Sequence, residues 1–190
     1  MRVIAGEFRS RVLQAPPGMN TRPTGDRLRE TLFNVLAPRI SGRAFLDLYA
    51  GSGAVGIEAI SRGAVPAAFV ERSPQAVKIL RRNLERLGIG AGIRIHARSV
   101  KVFLRPTAAG GPRPVQYDNV FLDPPYEAAE EYAATLGLLG ASAAAVLAPG
   151  ALVVAEHRRK QVLEERYGNL RRVRVLEQGD AALSFFSIES

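Results

Sequence analysis

The chain is predicted to be an α/β protein: a seven-stranded mixed sheet with helices on both faces, a C-terminal antiparallel hairpin and a short N-terminal extension. Three observations predict this. From Ala44 onward, apolar runs, glycine-containing turns and helical stretches alternate, which is the pattern of parallel strands joined by crossover helices. One of those helices is strongly signalled, with Ser73 as cap, Pro74 in the first turn, and Val77, Leu80, Leu84 and Leu87 on one face. Near the end, residues 170–178 and 181–188 are separated only by Gly179 and Asp180, which reads as a hairpin.

In chain order, residues 1–23 read as a small strand or two and a loop. Thr24 can then cap a helix whose Leu28, Leu32, Val35 and Leu36 share a face. Strands are expected near 44–48, 67–71, 93–97, 118–122 and 151–156, and helices near 54–62, 74–87 and 128–147, with a short one near 99–104. Five parallel strands plus the hairpin make seven. That is the number in the class I methyltransferase variant of the Rossmann-like sheet, against six in a dinucleotide-binding domain.

The 190 residues suit one domain with an appendage, divided here as a basic extension and helix, 1–38, and a catalytic domain, 39–190. The formal charge of +8 suggests a polyanionic partner. There is no cysteine, which excludes disulfides, thiolate metal sites and thiol nucleophiles, and two isolated histidines form no metal site. Neither a signal peptide nor a membrane span is evident, so a cytoplasmic monomer without a metal is expected.

Chemistry enters at the turn after the first strand. Asp47-Leu48-Tyr49-Ala50-Gly51-Ser52-Gly53-Ala54-Val55-Gly56 runs from strand to helix with glycines where a Cβ would obstruct a tight turn or a close backbone approach to a nucleoside. Glu71, at the end of the next strand, can accept both hydroxyls of a ribose. These features alone fit a nicotinamide cofactor or S-adenosylmethionine. Asp47 favours the second, because a carboxylate there would oppose a pyrophosphate but suits an amino-acid end. The expected cofactor site is Asp47, Tyr49, Ala50, Gly51, Ser52, Gly53, Gly56, Glu71, Arg72 and Ser99.

A second motif, Asp123-Pro124-Pro125-Tyr126, follows the fourth strand. An exocyclic base amine is a poor nucleophile because its lone pair is delocalised into the ring. Asp123 and the Pro124 carbonyl can accept the amine hydrogens and favour a pyramidal nitrogen, which is stabilisation by placed acceptors. Pro124 and Pro125 fix the direction of that carbonyl, and Tyr126 can lie against an extruded base.

Together with Arg22-Pro23-Thr24-Gly25-Asp26-Arg27-Leu28-Arg29-Glu30-Thr31-Leu32-Phe33-Asn34, these motifs make the chain resemble the bacterial small-subunit (16S) ribosomal RNA guanine-N2 methyltransferases, the RsmD family, over essentially its whole length. The resemblance implies methyl transfer from S-adenosylmethionine to the 2-amino group of one guanine, in a partly assembled small subunit. Arg22, Arg27 and Arg29 are expected to contact RNA. Three other readings remain open on the residues alone: a DNA amino-methyltransferase, a silent RNA-binding assembly factor, and a nicotinamide dehydrogenase. No separate target-recognition domain supports the first, the intact acceptor motif argues against the second, and no Ser/Tyr/Lys or His/Asp constellation supports the third.

Overall fold

The computed structural model describes residues 1–15, 23–105, 115–125, 129–141 and 143–189. Eight strands form one sheet: β1 (Phe45–Leu48), β2 (Ala67–Val70), β3 (Ile93–His96), β4 (Tyr117–Leu122), β5 (Leu147–Arg158), β6 (Arg166–Tyr167), β7 (Leu170–Gln178) and β8 (Ala181–Ile188). Their order is β3-β2-β1-β4-β5-β8-β7-β6. The pairings among β1 to β5 are parallel, whereas β8 runs antiparallel between β5 and β7. This is the expected class I methyltransferase arrangement with one strand more than predicted. The additional strand, β6, holds two residues and pairs only Arg166 with Arg171 and Tyr167 with Leu170. So short a strand leaves no period in the sequence.

The helices are α1 (Pro23–Leu36), α2 (Ala54–Ser61), α3 (Pro74–Arg86), α4 (Val100–Phe103), α5 (Ala129–Ala141) and α6 (Ala143–Val146). Helices α4 and α5 contribute Val100, Leu104, Tyr132, Leu136 and Leu139 to the core on one sheet face. On the other face, α1 and α2 pack Leu28, Leu32, Phe33 and Ala59 against Phe45 and Phe121, and α3 packs Leu80 and Leu84 against Phe69. Alternate residues of each strand serve opposite cores, as the pleat requires: Leu46 and Leu48 face one side, Phe45 the other.

Two boundaries differ from expectation. The predicted single helix at 128–147 ends at Ala141, α6 occupies only Ala143–Val146, and Leu147 already belongs to β5. Leu147 pairs with Tyr117 before an irregularity that lets Leu152 pair with Asn119, so β5 starts earlier than its apolar run. Helix α1 begins at Pro23, which places Thr24 in its first turn and not ahead of it.

The N-terminal segment forms an antiparallel bridge between Arg2 and Val12 and docks on α2. The Ile4 and Ala5 N–H groups donate to Glu58, at 2.7 and 3.0 Å, and the Phe8 N–H donates to Ser61 Oγ at 2.9 Å. Gly6 is required there, because a Cβ would fall 1.8 Å from the Ser61 carbonyl oxygen. Among the described residues, no helix is long and apolar enough to cross a membrane.

Candidate active site

The functional motifs meet at the carboxyl ends of neighbouring parallel strands. Leu48 of β1 is paired with Leu122 of β4, and Leu122 with Ala155 of β5, so the next residue in each strand, Tyr49, Asp123 and Glu156, lies at the same edge. On β1 and β2, Leu48 opposite Val70 brings the glycine turn beside Glu71. This is the crevice at which parallel α/β sheets bind ligands.

The turn itself is held by two carboxylates. Asp47, 2% exposed, accepts the Gly56 N–H at 2.8 Å. Glu71 accepts the Gly51 N–H at 2.8 Å and the Ser73 N–H at 2.7 Å. Gly53 and Gly56 are demanded by packing: a Cβ would lie 2.3 Å from Leu80 in the first case and 2.3 Å from Phe69 in the second. Gly51 and Gly53 also have the left-handed φ that favours glycine, +54° and +81°, but at Gly51 a Cβ would meet no atom nearer than the Tyr49 carbonyl at 4.0 Å. The space above Gly51 is therefore open toward the crevice, as close approach by a ligand requires. Tyr49 has a φ of 65°, a conformation that costs a non-glycine residue about 1–2 kcal/mol. Its hydroxyl donates to Glu131 at 2.8 Å and lies 2.6 Å from the Thr135 hydroxyl, tying the turn to α5.

Other predicted cofactor residues are placed around this turn. The Ala50 N–H donates to the Val70 carbonyl, and Ser52 is buried with its carbonyl accepting from Asn83 at 2.9 Å. Arg72 is exposed beside Glu71, and Ser99 follows β3, where its hydroxyl caps α4 by accepting the Val102 N–H at 3.3 Å. Pro124 is buried and Pro125 exposed. Tyr126 and Arg22 lie outside the described residues.

The electrostatics of the crevice are unusual. Burial pushes Asp47 up to about 7 against the opposing Gly56 N–H, with the charge of Glu71 adding to the rise. Burial, then Glu156 and Asp47, hold Asp123 well above the usual carboxylate range. Burial also pushes Glu156 up to about 7, with Arg29 pulling the other way. Three carboxylates thus crowd one sheet edge, and the charges of Glu156 and Asp47 make ionisation of Asp123 harder. Such a site favours a cationic ligand and disfavours a pyrophosphate.

One expected RNA residue is not available to RNA. Arg29 is 7% exposed; it donates to the Arg2 carbonyl at 2.5 Å and to Asp26 at 3.2 Å, and its Nε lies 3.9 Å from Glu58. The reason is that the buried stripe of α1 is wider than the leucines alone suggest. Phe33, four residues on, is fully buried, so Arg29 is carried inward with it. Arg27 is exposed. Sequence reasoning missed Glu156, although its signal was present: an acid closing an apolar strand, as Asp47, Glu71 and Asp123 close or follow theirs. It also missed Glu58, which sits inside a helix with no motif around it.

Two results are expected from this geometry. If Glu71 accepts the ribose hydroxyls as the sequence predicts, then at about 1.5–3 kcal/mol for hydrogen bonds to a charged group Glu71→Ala should lower S-adenosylmethionine affinity on the order of tenfold to a hundredfold by calorimetry. Unchanged affinity would take Glu71 out of the cofactor site. For Asp47 the sign is set by its raised folded value: the native state holds a proton that the unfolded chain has lost between about pH 4 and 7. The contribution of Asp47 to the stability of the ligand-free protein therefore falls as pH rises across that window. Asp47→Asn should raise the melting temperature by several degrees at pH 7.5 and by little at pH 4.5, and a gain equal at both values would contradict the assignment.

The chain was compared with known proteins. A family profile described as "Conserved hypothetical protein 95" matches residues 1–187. The Bacillus subtilis protein named "Putative rRNA methyltransferase YlbH" is 36% identical over 170 residues, covering 90% of this chain and 89% of that protein. Ribosomal RNA small subunit methyltransferase D of Escherichia coli is 39% identical over 126 residues, covering 66% of this chain and 60% of that enzyme's length. Among solved structures, "Putative methyltransferase yhhF from Escherichia coli" superposes with a TM-score of 0.84 at 32% identity, covering 100% of this chain and 98% of the other. The chain belongs to the conserved hypothetical protein 95 family and is a relative of the enzymes named ribosomal RNA small subunit methyltransferase D, as the resemblance in its sequence implied.

Proposed function

We propose that this protein transfers a methyl group from S-adenosylmethionine to the exocyclic 2-amino group of a guanine in small-subunit ribosomal RNA. The observation that carries the reading is the meeting of the glycine turn, Glu71 and Asp123 at one acid-lined sheet edge. The names of the relatives support the ribosomal RNA substrate class. A partly assembled subunit in the cytoplasm is the proposed setting. The protein acts as a monomer, with residues 1–38 as an extension of the catalytic domain 39–190.

S-adenosylmethionine supplies an electrophilic methyl group on a positively charged sulfur. Glu71 retains lone pairs beyond those used by Gly51 and Ser73, and these can accept ribose hydroxyls. Asp47 serves the ammonium group, and the acid cluster as a whole favours the positive charge of the donor. Asp123 and the Pro124 carbonyl accept the hydrogens of the amine. No metal is assigned a role. Ser99 and neighbouring backbone groups are assigned to the adenine.

The test is mass spectrometry of RNA nucleosides after incubation with labelled S-adenosylmethionine. A labelled N2-methylguanosine is the expected product. Labelled methyladenosine or methylcytidine would move the reaction to another amine, and no labelled nucleoside from either naked RNA or small-subunit particles would overturn the reading.

A further inference from the structure

The whole formal charge of this chain lies at one edge of the fold. Residues 72–105 contain nine of the 26 lysines and arginines but one of the 18 acids, Glu85, so this stretch carries +8 and the remaining residues are neutral in sum. It comprises α3, the edge strand β3 and α4. All nine cations are exposed, and among the described residues none forms an ion pair, whereas Arg29, Arg43, Arg62, Arg166, Arg171 and Arg172 all do.

They surround the edge strand, and those on α3 form a row. On α3, Lys78, Arg82 and Arg86 recur every four residues, about 6 Å apart, along a 13-residue helix about 20 Å long. Arg81 stands beside them, at a groove of about 410 Å³ between α3 and β3 that is floored by Leu84, Ile93 and Ile95. Arg94, between Ile93 and Ile95 on β3, turns to the other sheet face beside Val115 and Tyr117, and Arg98, Lys101 and Arg105 lie in and around α4 on that side, so the cations wrap the sheet edge. Arg72 and Arg98 bring the surface to the mouth of the crevice, next to Glu71 and Ser99.

We propose that the α3–β3–α4 edge is the principal RNA-docking surface of this protein, binding the phosphate backbone of a helical segment next to the one that presents the target base. The inference rests on the RNA methyltransferase reading above. A continuous edge of one sign, with seven arginines among its nine cations and a row along α3, matches a polyanionic backbone. Its continuity with the crevice lets one strand lie on the edge while a base turns into the site. The edge is separate from Arg27 and from the basic residues of β7, where Arg171 and Arg172 are already engaged with Glu189 and Glu165.

The experiment measures binding to a small-subunit ribosomal RNA transcript as a function of salt, for the parent, for Lys78→Gln/Arg82→Gln/Arg86→Gln, and for a control with equal charge loss, Arg159→Gln/Lys160→Gln/Arg174→Gln. Calorimetry with S-adenosylmethionine serves as the folding check, and cofactor affinity is expected to be the same in all three. If the three α3 cations neutralise phosphates, the slope of log affinity against log salt becomes shallower by roughly 2.1–2.7 for the α3 variant. The loss of affinity at 0.1 M salt is then on the order of a hundredfold if the proteins converge near 1 M. The control keeps a nearly parental slope. A parental slope in the α3 variant overturns the proposal. So does an α3 variant that keeps RNA binding but loses binding to poly-glutamate, which would make the edge a surface for an acidic protein. A parent that binds the transcript through this edge yet methylates no RNA leaves the docking surface standing and removes the proposed reaction instead.

Discussion

Asp123→Ala is expected to slow methyl transfer by roughly 10²–10³ while leaving the fold and cofactor affinity nearly intact, the range seen when one placed electrostatic group is removed from a reacting centre. Asp123 lies one residue past the Leu48–Leu122 pair, beside the glycine turn. Its loss also relieves repulsion with Glu156 and Asp47, so the ligand-free variant should melt no lower than the parent. Asp123→Asn separates acceptor from charge. An amide oxygen still accepts a hydrogen from the amine, so this variant should recover most of the rate. The pH dependence distinguishes the two further. Because burial, Glu156 and Asp47 raise the Asp123 carboxyl, the parental rate should climb with pH as that proton is lost, and the Asn variant should lack this limb. Single-turnover rates with both ligands saturating isolate the chemical step. An Ala variant as fast as the parent would show that Asp123 does not act on the amine.

Local signals carried most of the fold and much of the crevice. The glycine turn and the strand ends at Asp47, Glu71 and Asp123 could be read because chain reversal, apolar alternation and a closing acid are each encoded within a few residues. What could not be read depended on contacts between distant segments. Gly53 serves the turn as expected, at a φ of +81°, but Gly53 and Gly56 also make room for Leu80 and Phe69, which the sequence did not show. Arg29 was read from its charge, and its burial depends on Phe33 lying on the same side of α1. β6 is too short to have a period, and β5 begins before its apolar run because Leu147 pairs with Tyr117. The basic edge was hidden for a different reason. Its charges are spread over a helix, a strand and a second helix, and show as a block only when counted against the near absence of acids.

Glu58→Ala is expected to be the most destabilising single substitution proposed here, at about 3–5 kcal/mol, because it breaks a buried ion pair from one side. Glu58 is fully buried; its carboxylate accepts from Ile4, Ala5 and Arg62 Nε at 2.7, 3.0 and 2.8 Å, and Arg29 Nε stands 3.9 Å away without a hydrogen-bond partner. Removing it strands two backbone donors and two guanidinium groups at the junction of the N-terminal segment, α1 and α2. At roughly 2–4 °C per kcal/mol for a chain of this size, the melting temperature should fall by about 10 °C. Hydrogen exchange locates the damage: Ile4 and Ala5 should lose protection first, while strands β1 and β4 retain theirs up to global unfolding. Glu58→Gln keeps one acceptor but turns an amide donor toward other donors, so it should fall between the parent and the Ala variant. The charge of Arg29 also acts on Glu156, so a shift of Arg29 after the loss of Glu58 would be felt there. The Ala variant should therefore also alter the pH dependence of whatever activity survives. A loss of stability below about 1 kcal/mol, with Ile4 and Ala5 still protected, would mean that the N-terminal segment is held by its apolar contacts at Val3 and Leu13 and not by Glu58.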